Sequence, residues 1–157
     1  MYNNFKGRRR VYKLDDFYRK EWEIKDIFSL QKWAYRMDKV FPGYVLDYGL
    51  NDSHMFVDMK FIKGVPANQI IHDQEFIKKI INFCIDNIKQ TIPFAHMDWS
   101  MSNIIVSDDH MEMVDWDALR LYPYSLIEYK LNNDLELAFG NKIQNYISLE
   151  EYGVQKF

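Results

Sequence analysis

The sequence predicts an α+β fold, on three observations. Strand-like and helix-like segments follow one another without the regular alternation of a doubly wound sheet. Hydrophobic residues make up 48% and aromatic residues 17% of the 157 positions, enough to fill a core at one-domain length. One segment, AHMDWSMSNIIVSDDHMEMVDWD (residues 95–117), ties two short apolar runs to carboxylates.

Taken in order, residues 2–14 read as a hairpin turning at Lys6-Gly7, with 10–14 as its second strand. Asp15 or Asp16 offers an N-cap. A long helix is expected from there, with Phe17, Ile24, Ile27, Phe28 and Ala34 on one broad face. Pro42-Gly43 ends it. Residues 44–48 and 54–61 read as strands joined by a turn over 49–53, and Lys63-Gly64-Val65-Pro66 breaks the chain again. Residues 73–90 give the clearest helix: Phe76, Ile77, Ile80, Ile81, Cys84, Ile85 and Ile88 recur at helical spacing. After Pro93 comes the carboxylate-rich segment, whose runs 104–106 and 111–114 read as a short hairpin around 107–110. Pro123 precedes one more helix over 125–139, and the tail is weakly patterned.

Composition removes several function classes. A net charge of −3 argues against a nucleic-acid binder. The basic run Lys6, Arg8, Arg9, Arg10 and Lys13 reads as a solvated hairpin face. Cys84 is the only cysteine, so no internal disulfide can form, which fits a reducing, cytoplasmic setting. His54, His72, His96 and His110 lack metal-ligand spacing. No signal peptide or bilayer-length apolar run is visible, so no membrane association is expected.

The chemistry concentrates in the segment 95–117. His96-x-Asp98 with Asn103 gives the spacing H-x-D-x-x-x-x-N, and the hairpin that follows returns the chain to Asp115 and Asp117. A hairpin brings the residue at its entry close to the residue at its exit. An amide oxygen and a carboxylate oxygen are hard ligands suited to Mg²⁺. A separate carboxylate can accept a proton from an attacking hydroxyl. That set suits phosphoryl transfer, whose transition state needs alignment and charge neutralisation more than covalent help.

With H-x-D-x-x-x-x-N-I-I-V and then V-D-W-D, the segment resembles the catalytic and metal-binding loops of the protein-kinase-like fold. It is closer to the aminoglycoside and choline phosphotransferase branch than to eukaryotic protein kinases, which show D-F-G where this chain has Asp115-Trp116-Asp117. The resemblance implies a reduced small lobe over residues 1–62 and a truncated helical large lobe over 63–157. It implies Asp98 as catalytic base, Asn103 and Asp115 as Mg²⁺ ligands, and His96 as a residue buttressing the loop. Asp117 is a weaker candidate for metal or substrate contact. Upstream it implies Lys13 as the phosphate-binding lysine and Glu21 as its helical partner, with Glu23 second. Lys60, Phe61 and Ile62 would form the hinge that meets the adenine of ATP. The implied partners are a nucleotide and a hydroxyl-bearing acceptor, small molecule or protein.

Two departures stand beside the resemblance. No Gly-rich phosphate lid precedes the lysine strand. Only about 40 residues follow the metal-binding loop, where relatives continue with the helices of the acceptor site. Either the chain is a pared-down kinase, or a second copy or another protein completes the site; Tyr146, Tyr152 and Phe157 are candidates for such an interface or for packing against their own core. These departures keep a rival in view, a pseudokinase-like module that binds nucleotide or a partner without turnover. A third alternative is a purely structural use of the fold. A glycosidase pair (Asp98, Asp115) or a nuclease metal pair (Asp115, Asp117) leaves Asn103 and the upstream order unexplained. Trp99 and Trp116 read as loop packing, and Met55, Met59, Met111 and Met113 as core filling.

Overall fold

The computed structural model describes residues 9–23, 26–52, 54–108 and 110–157. The chain divides into two compact units, Met1–Ile62 and Lys63–Phe157.

The described residues of the first unit form one antiparallel sheet with one helix. Its strands are β1 (Arg9–Leu14), β2 (Phe17–Glu23), β3 (Val45–Asn51) and β4 (His54–Lys60), in the order β1-β2-β4-β3. The helix α1 (Ile27–Val40) joins β2 to β3 and packs against β3. This corrects the sequence-based expectation twice. The strand at 10–14 forms, but it pairs with the segment after it; the turn at Lys6-Gly7 lies outside the described residues. Residues 17–23 are a strand, where a helix was expected. Leu14 pairs with Phe17 across a two-residue turn at Asp15-Asp16, and the register runs on to Arg9 opposite Trp22.

The physical reason is period. Lys20 and Trp22 are buried, Arg19 and Glu21 are less so, and that alternation suits a pleated strand. Helical spacing starts only at Ile27, where Leu30, Trp33, Ala34 and Met37 bury one stripe. Asp26 caps that helix, its carboxylate accepting from the Ser29 N–H and hydroxyl at 3.2 and 2.6 Å. Phe28, expected inside, is 70% exposed.

The second unit is built on two helices. α2 (Gln74–Thr91) starts at Asp73, whose side chain accepts from the Phe76 N–H at 2.8 Å, and buries Ile77, Ile80, Cys84, Ile85 and Ile88. α3 (Tyr124–Phe139) follows Pro123 and buries Ile127, Leu131 and Leu135. Between them lie short strands: β6 (Phe94–Ala95) pairs with β9 (Arg120–Leu121), and β7 (Ile104–Val106) pairs with β8 (Met111–Met113). β5 (Val65–Pro66) joins β7 on its other side. Gly64 makes this pairing possible. Its φ is +152°, and a Cβ there would stand 2.5 Å from the Val106 carbonyl oxygen.

The tail, weakly patterned in sequence, is held by side chains of α3. Asn132 exchanges two hydrogen bonds with the Ile147 backbone, at 2.9 and 2.7 Å. Glu128 accepts from the Leu149 N–H at 2.9 Å, and the Tyr124 hydroxyl donates to the Val154 carbonyl at 3.0 Å. Tyr146, Tyr152 and Phe157 stay exposed. Among the described residues no helix is long and apolar enough to cross a membrane.

Candidate active site

The segment 95–117 folds as a loop, a short 3-10 turn at Met101–Asn103, and the β7–β8 hairpin. The hairpin extends one bond past its strands, because the Val114 N–H donates to the Asn103 carbonyl at 2.9 Å. Asn103 therefore stands opposite the residue that precedes Asp115. The Asn103 side-chain NH₂ donates to the backbone carbonyl of Asp98 at 3.3 Å. With its nitrogen so engaged, the amide keeps its oxygen as an acceptor.

His96 ties the other side. It is fully buried. Its Nδ1 accepts from the Asp98 N–H at 3.2 Å, which assigns the ring proton to Nε2, and Nε2 donates to the Val114 carbonyl at 2.8 Å. The ring meets Trp116 edge-on at 4.7 Å. Burial pushes the imidazole pKa below its ordinary value, against the opposing pull of the Val114 carbonyl and of Asp98, Asp115 and Asp117. Three carboxylates thus lie within electrostatic reach of one neutral, buried ring. The Asp98 carboxylate accepts from the Ser100 N–H at 3.3 Å, which turns it back over its own loop.

Backbone strain gathers at the same place. Three described non-glycine residues have positive φ: Asp52, Met97 at 65° and Asp115 at 63°. Two of the three are Asp115 itself and the residue before Asp98. Such conformations cost energy and persist where surrounding bonds enforce them.

The loop is also gripped from behind. The Trp99 N–H donates to Asp134 on α3 at 2.9 Å, and the Trp99 indole donates to Asn87 on α2 at 3.2 Å. Lys130 pairs with Asp134 at 2.5 Å. Sequence reasoning missed Asn87 and Asp134, since a buried polar residue inside a helix looks like a surface one. The only trace was the Lys130/Asp134 spacing of four.

In the first unit the expected Lys13–Glu21 pair is not formed. Lys13 opposes Tyr18 across the hairpin, whereas Glu21 opposes Arg10, so the two side chains leave opposite faces. The Lys13 ammonium lies 4.1 Å from the centre of the Phe61 ring, and Glu21 accepts from the Tyr12 hydroxyl. Glu23 shares the Glu21 face and is exposed. The lysine that stands out is Lys20, 8% exposed, opposite Val57 and on the same face as Trp22 and Met55. Its signal was the alternation within FYRKEWE. Of the expected hinge, Lys60 ends β4 with its N–H bonded to the Tyr44 carbonyl at 2.8 Å, and Phe61 and Ile62 follow as half-buried irregular chain.

Among the described residues no group of three or more His, Cys, Asp or Glu side chains could hold a metal. A site of one amide and one carboxylate, which Asn103 and Asp115 would supply, is a different kind. It fits an ion that keeps several waters and takes other ligands from phosphates, as Mg²⁺ does. The Asn103 amide, with its oxygen left as acceptor, meets that requirement.

No protein-family model matches the chain, and no curated protein matches it. Solved structures do. Monomeric WbdD aligns at 15% identity and TM-score 0.56, over 84% of this chain and 37% of that one. The bifunctional kinase-methyltransferase WbdD aligns at 18% and 0.52, over 82% and 34%. WbdD co-crystallised with a kinase inhibitor aligns at 18% and 0.51, over 77% and 33%. The chain spans about a third of the length of these proteins. At such identity the likeness concerns the fold alone: a mixed α/β, kinase-like fold at a coarse level, with no branch distinguished.

Proposed function

We propose that the protein is an ATP- and Mg²⁺-dependent phosphotransferase acting on a hydroxyl acceptor. The observation that carries this reading is the knot around His96. One buried ring bonds the Asp98 N–H and the Val114 carbonyl, while Asn103 bonds the Asp98 carbonyl and the Val114 N–H. Four bonds thereby tie the backbone of Asp98 and Asn103 to Val114, the neighbour of Asp115. The likeness in fold to the bifunctional kinase-methyltransferase WbdD supports the same class.

In this reading Asp98 accepts the proton of the attacking hydroxyl, its carboxylate oriented by the Ser100 N–H. Asn103 and Asp115 would hold Mg²⁺ through their oxygens, and the ion would supply charge neutralisation for the phosphates. Lys20 takes the phosphate-holding role first given to Lys13, and the hinge contact to adenine stays with Lys60, Phe61 and Ile62. Burial of the His96 ring keeps it neutral, so it orients the loop and does not compete for the proton.

One observation favours the alternative of nucleotide binding without turnover. α1 contains no glutamate, and its buried face is Leu30, Trp33, Ala34, Met37 and Val40. The helix glutamate that pairs with the lysine in kinases has no counterpart there.

The test is incubation with ATP and Mg²⁺, following ADP release and self-phosphorylation, with Asp98→Asn as control. Turnover that falls by two orders of magnitude or more in that variant supports the enzyme. Thermal stabilisation by nucleotide without turnover supports the binding module. Indifference to nucleotide removes both.

A further inference from the structure

The residue that follows the candidate base is held twice, by two different helices. Trp99 is fully buried. Its backbone N–H is bonded to Asp134 of α3 and its indole N–H to Asn87 of α2. Asn87 is 5% exposed and sits among Cys84, Ile85 and Ile88, on a helix whose other buried side chains are mostly apolar. An amide there is costly to bury, and asparagine is a poor helix former. A leucine would suit the helix and the core better. What the amide contributes is direction, since a hydrogen bond fixes the rotation of the indole as an apolar contact cannot.

We propose that Asn87 is a positioning residue for Asp98. Its side-chain oxygen locks the Trp99 indole, and the locked indole fixes the turn of the loop that presents the Asp98 carboxylate. The backbone bonds around Asp98 set the peptide planes on either side of it, through His96, Asn103 and Asp134. The indole bond adds what those lack, a side-chain anchor driven into the helical layer. This inference rests on the phosphotransferase reading.

The rival is that Asn87 merely satisfies a buried indole N–H. The two ideas part company in a double variant. Asn87→Leu leaves the indole donor unpaired, and Trp99→Phe leaves the amide oxygen unpaired, so each single change lowers the melting temperature. Asn87→Leu/Trp99→Phe removes both polar partners together, and stability returns towards that of the wild type. The full chain is assayed with Mg²⁺ and ATP, water serving as acceptor, and kcat and KM for ATP are read from ADP release.

Positioning predicts a kcat about tenfold lower in the double variant, at near wild-type melting temperature, with KM for ATP changed less than twofold. Recovery of kcat together with stability overturns the proposal and leaves the phosphotransferase reading intact. A wild-type chain without turnover overturns that reading, and the inference with it. Should Asn87→Leu alone fail to fold, the double variant carries the test unaided.

Discussion

The sheet of the first unit and the loop of the second are held by different forces. The sheet is held by apolar burial: Trp22, Met55, Val57 and Met59 line one face, and α1 buries Leu30, Trp33 and Met37. The loop from His96 to Asn103 is held by directional bonds, with buried His96, Asn87 and Asp134 each giving at least one polar atom to the loop or its exit strand. Apolar contacts set that a layer forms but tolerate sliding and repacking. Hydrogen bonds in a low-dielectric interior tolerate neither. The loop is therefore built for orientation and the sheet for stability, and substitutions should separate the two.

Lys20 is the exception inside the sheet, a cation within an apolar face, and it offers the sharpest test. Lys20→Met keeps the stem and removes the charge. It should lower kcat/KM for ATP by about 100-fold, equivalent to about 2.7 kcal/mol. Lys13→Met, whose ammonium only caps the Phe61 ring, should stay within about threefold. Steady-state kinetics on both decide it. Equal effects would mean that burial does not distinguish the two lysines.

Those two lysines also mark where sequence reasoning stopped. Residues 17–23 carry a strand alternation, but the apolar positions 17, 24, 27, 28 and 34 mimic a helix. Only the pairing of Leu14 with Phe17, a tertiary fact, decides between them. Once that strand was read as helix, a lysine on the wrong strand and a glutamate on the wrong face followed. The loop was legible for the opposite reason. A histidine, two aspartates and an asparagine at fixed spacing around a four-residue turn leave few chain paths, and the β7–β8 hairpin forms where that pattern puts it. Asn87 and Asp134 were not legible, because burial is what makes them matter and a single sequence does not display it.

Gly64 tests whether the β5–β7 pairing in the second unit depends on close backbone approach. Gly64→Ala puts a methyl 2.5 Å from the Val106 carbonyl oxygen and 2.7 Å from the Ile105 side chain, at a φ that L-residues avoid. The backbone atoms cannot step aside cheaply. A loss of about 3 kcal/mol in denaturant unfolding is expected. A loss below about 1 kcal/mol would mean that β5 detaches without consequence.

The pH dependence of stability probes the His96 knot. The folded pKa of His96 lies below its ordinary value because burial outweighs the carboxylates around it. The unfolded chain therefore binds the proton more readily. Stability should be full above about pH 6.5, the unfolded value, and fall as pH drops from there towards the folded value. The slope from this group cannot exceed about 1.4 kcal/mol per pH unit. His96→Gln should be less stable at neutral pH, having lost the paired bonds, but should show a flatter curve below pH 6.5. An unchanged slope would assign the acid sensitivity to another group.

The smallest effect is expected on the other face of the sheet, where Asp58 is buried and Arg19 partly exposed. Arg19 grips Asp58 with two bonds, at 2.7 and 2.8 Å, tying β2 to β4, and its guanidinium lies 4.4 Å from the Phe56 ring. The pair looks as directional as anything in the loop. The Arg19 side chain is 23% exposed, however, so water can solvate the charge once its partner is neutral. Asp58→Asn keeps the shape and one acceptor oxygen, and should cost about 1 kcal/mol, read as a shift in denaturant midpoint at unchanged slope. A cost above about 3 kcal/mol would put the sheet in the same class as the loop. The division of labour between an apolar layer and a polar knot would then fail, because the layer too would owe its register to one oriented pair.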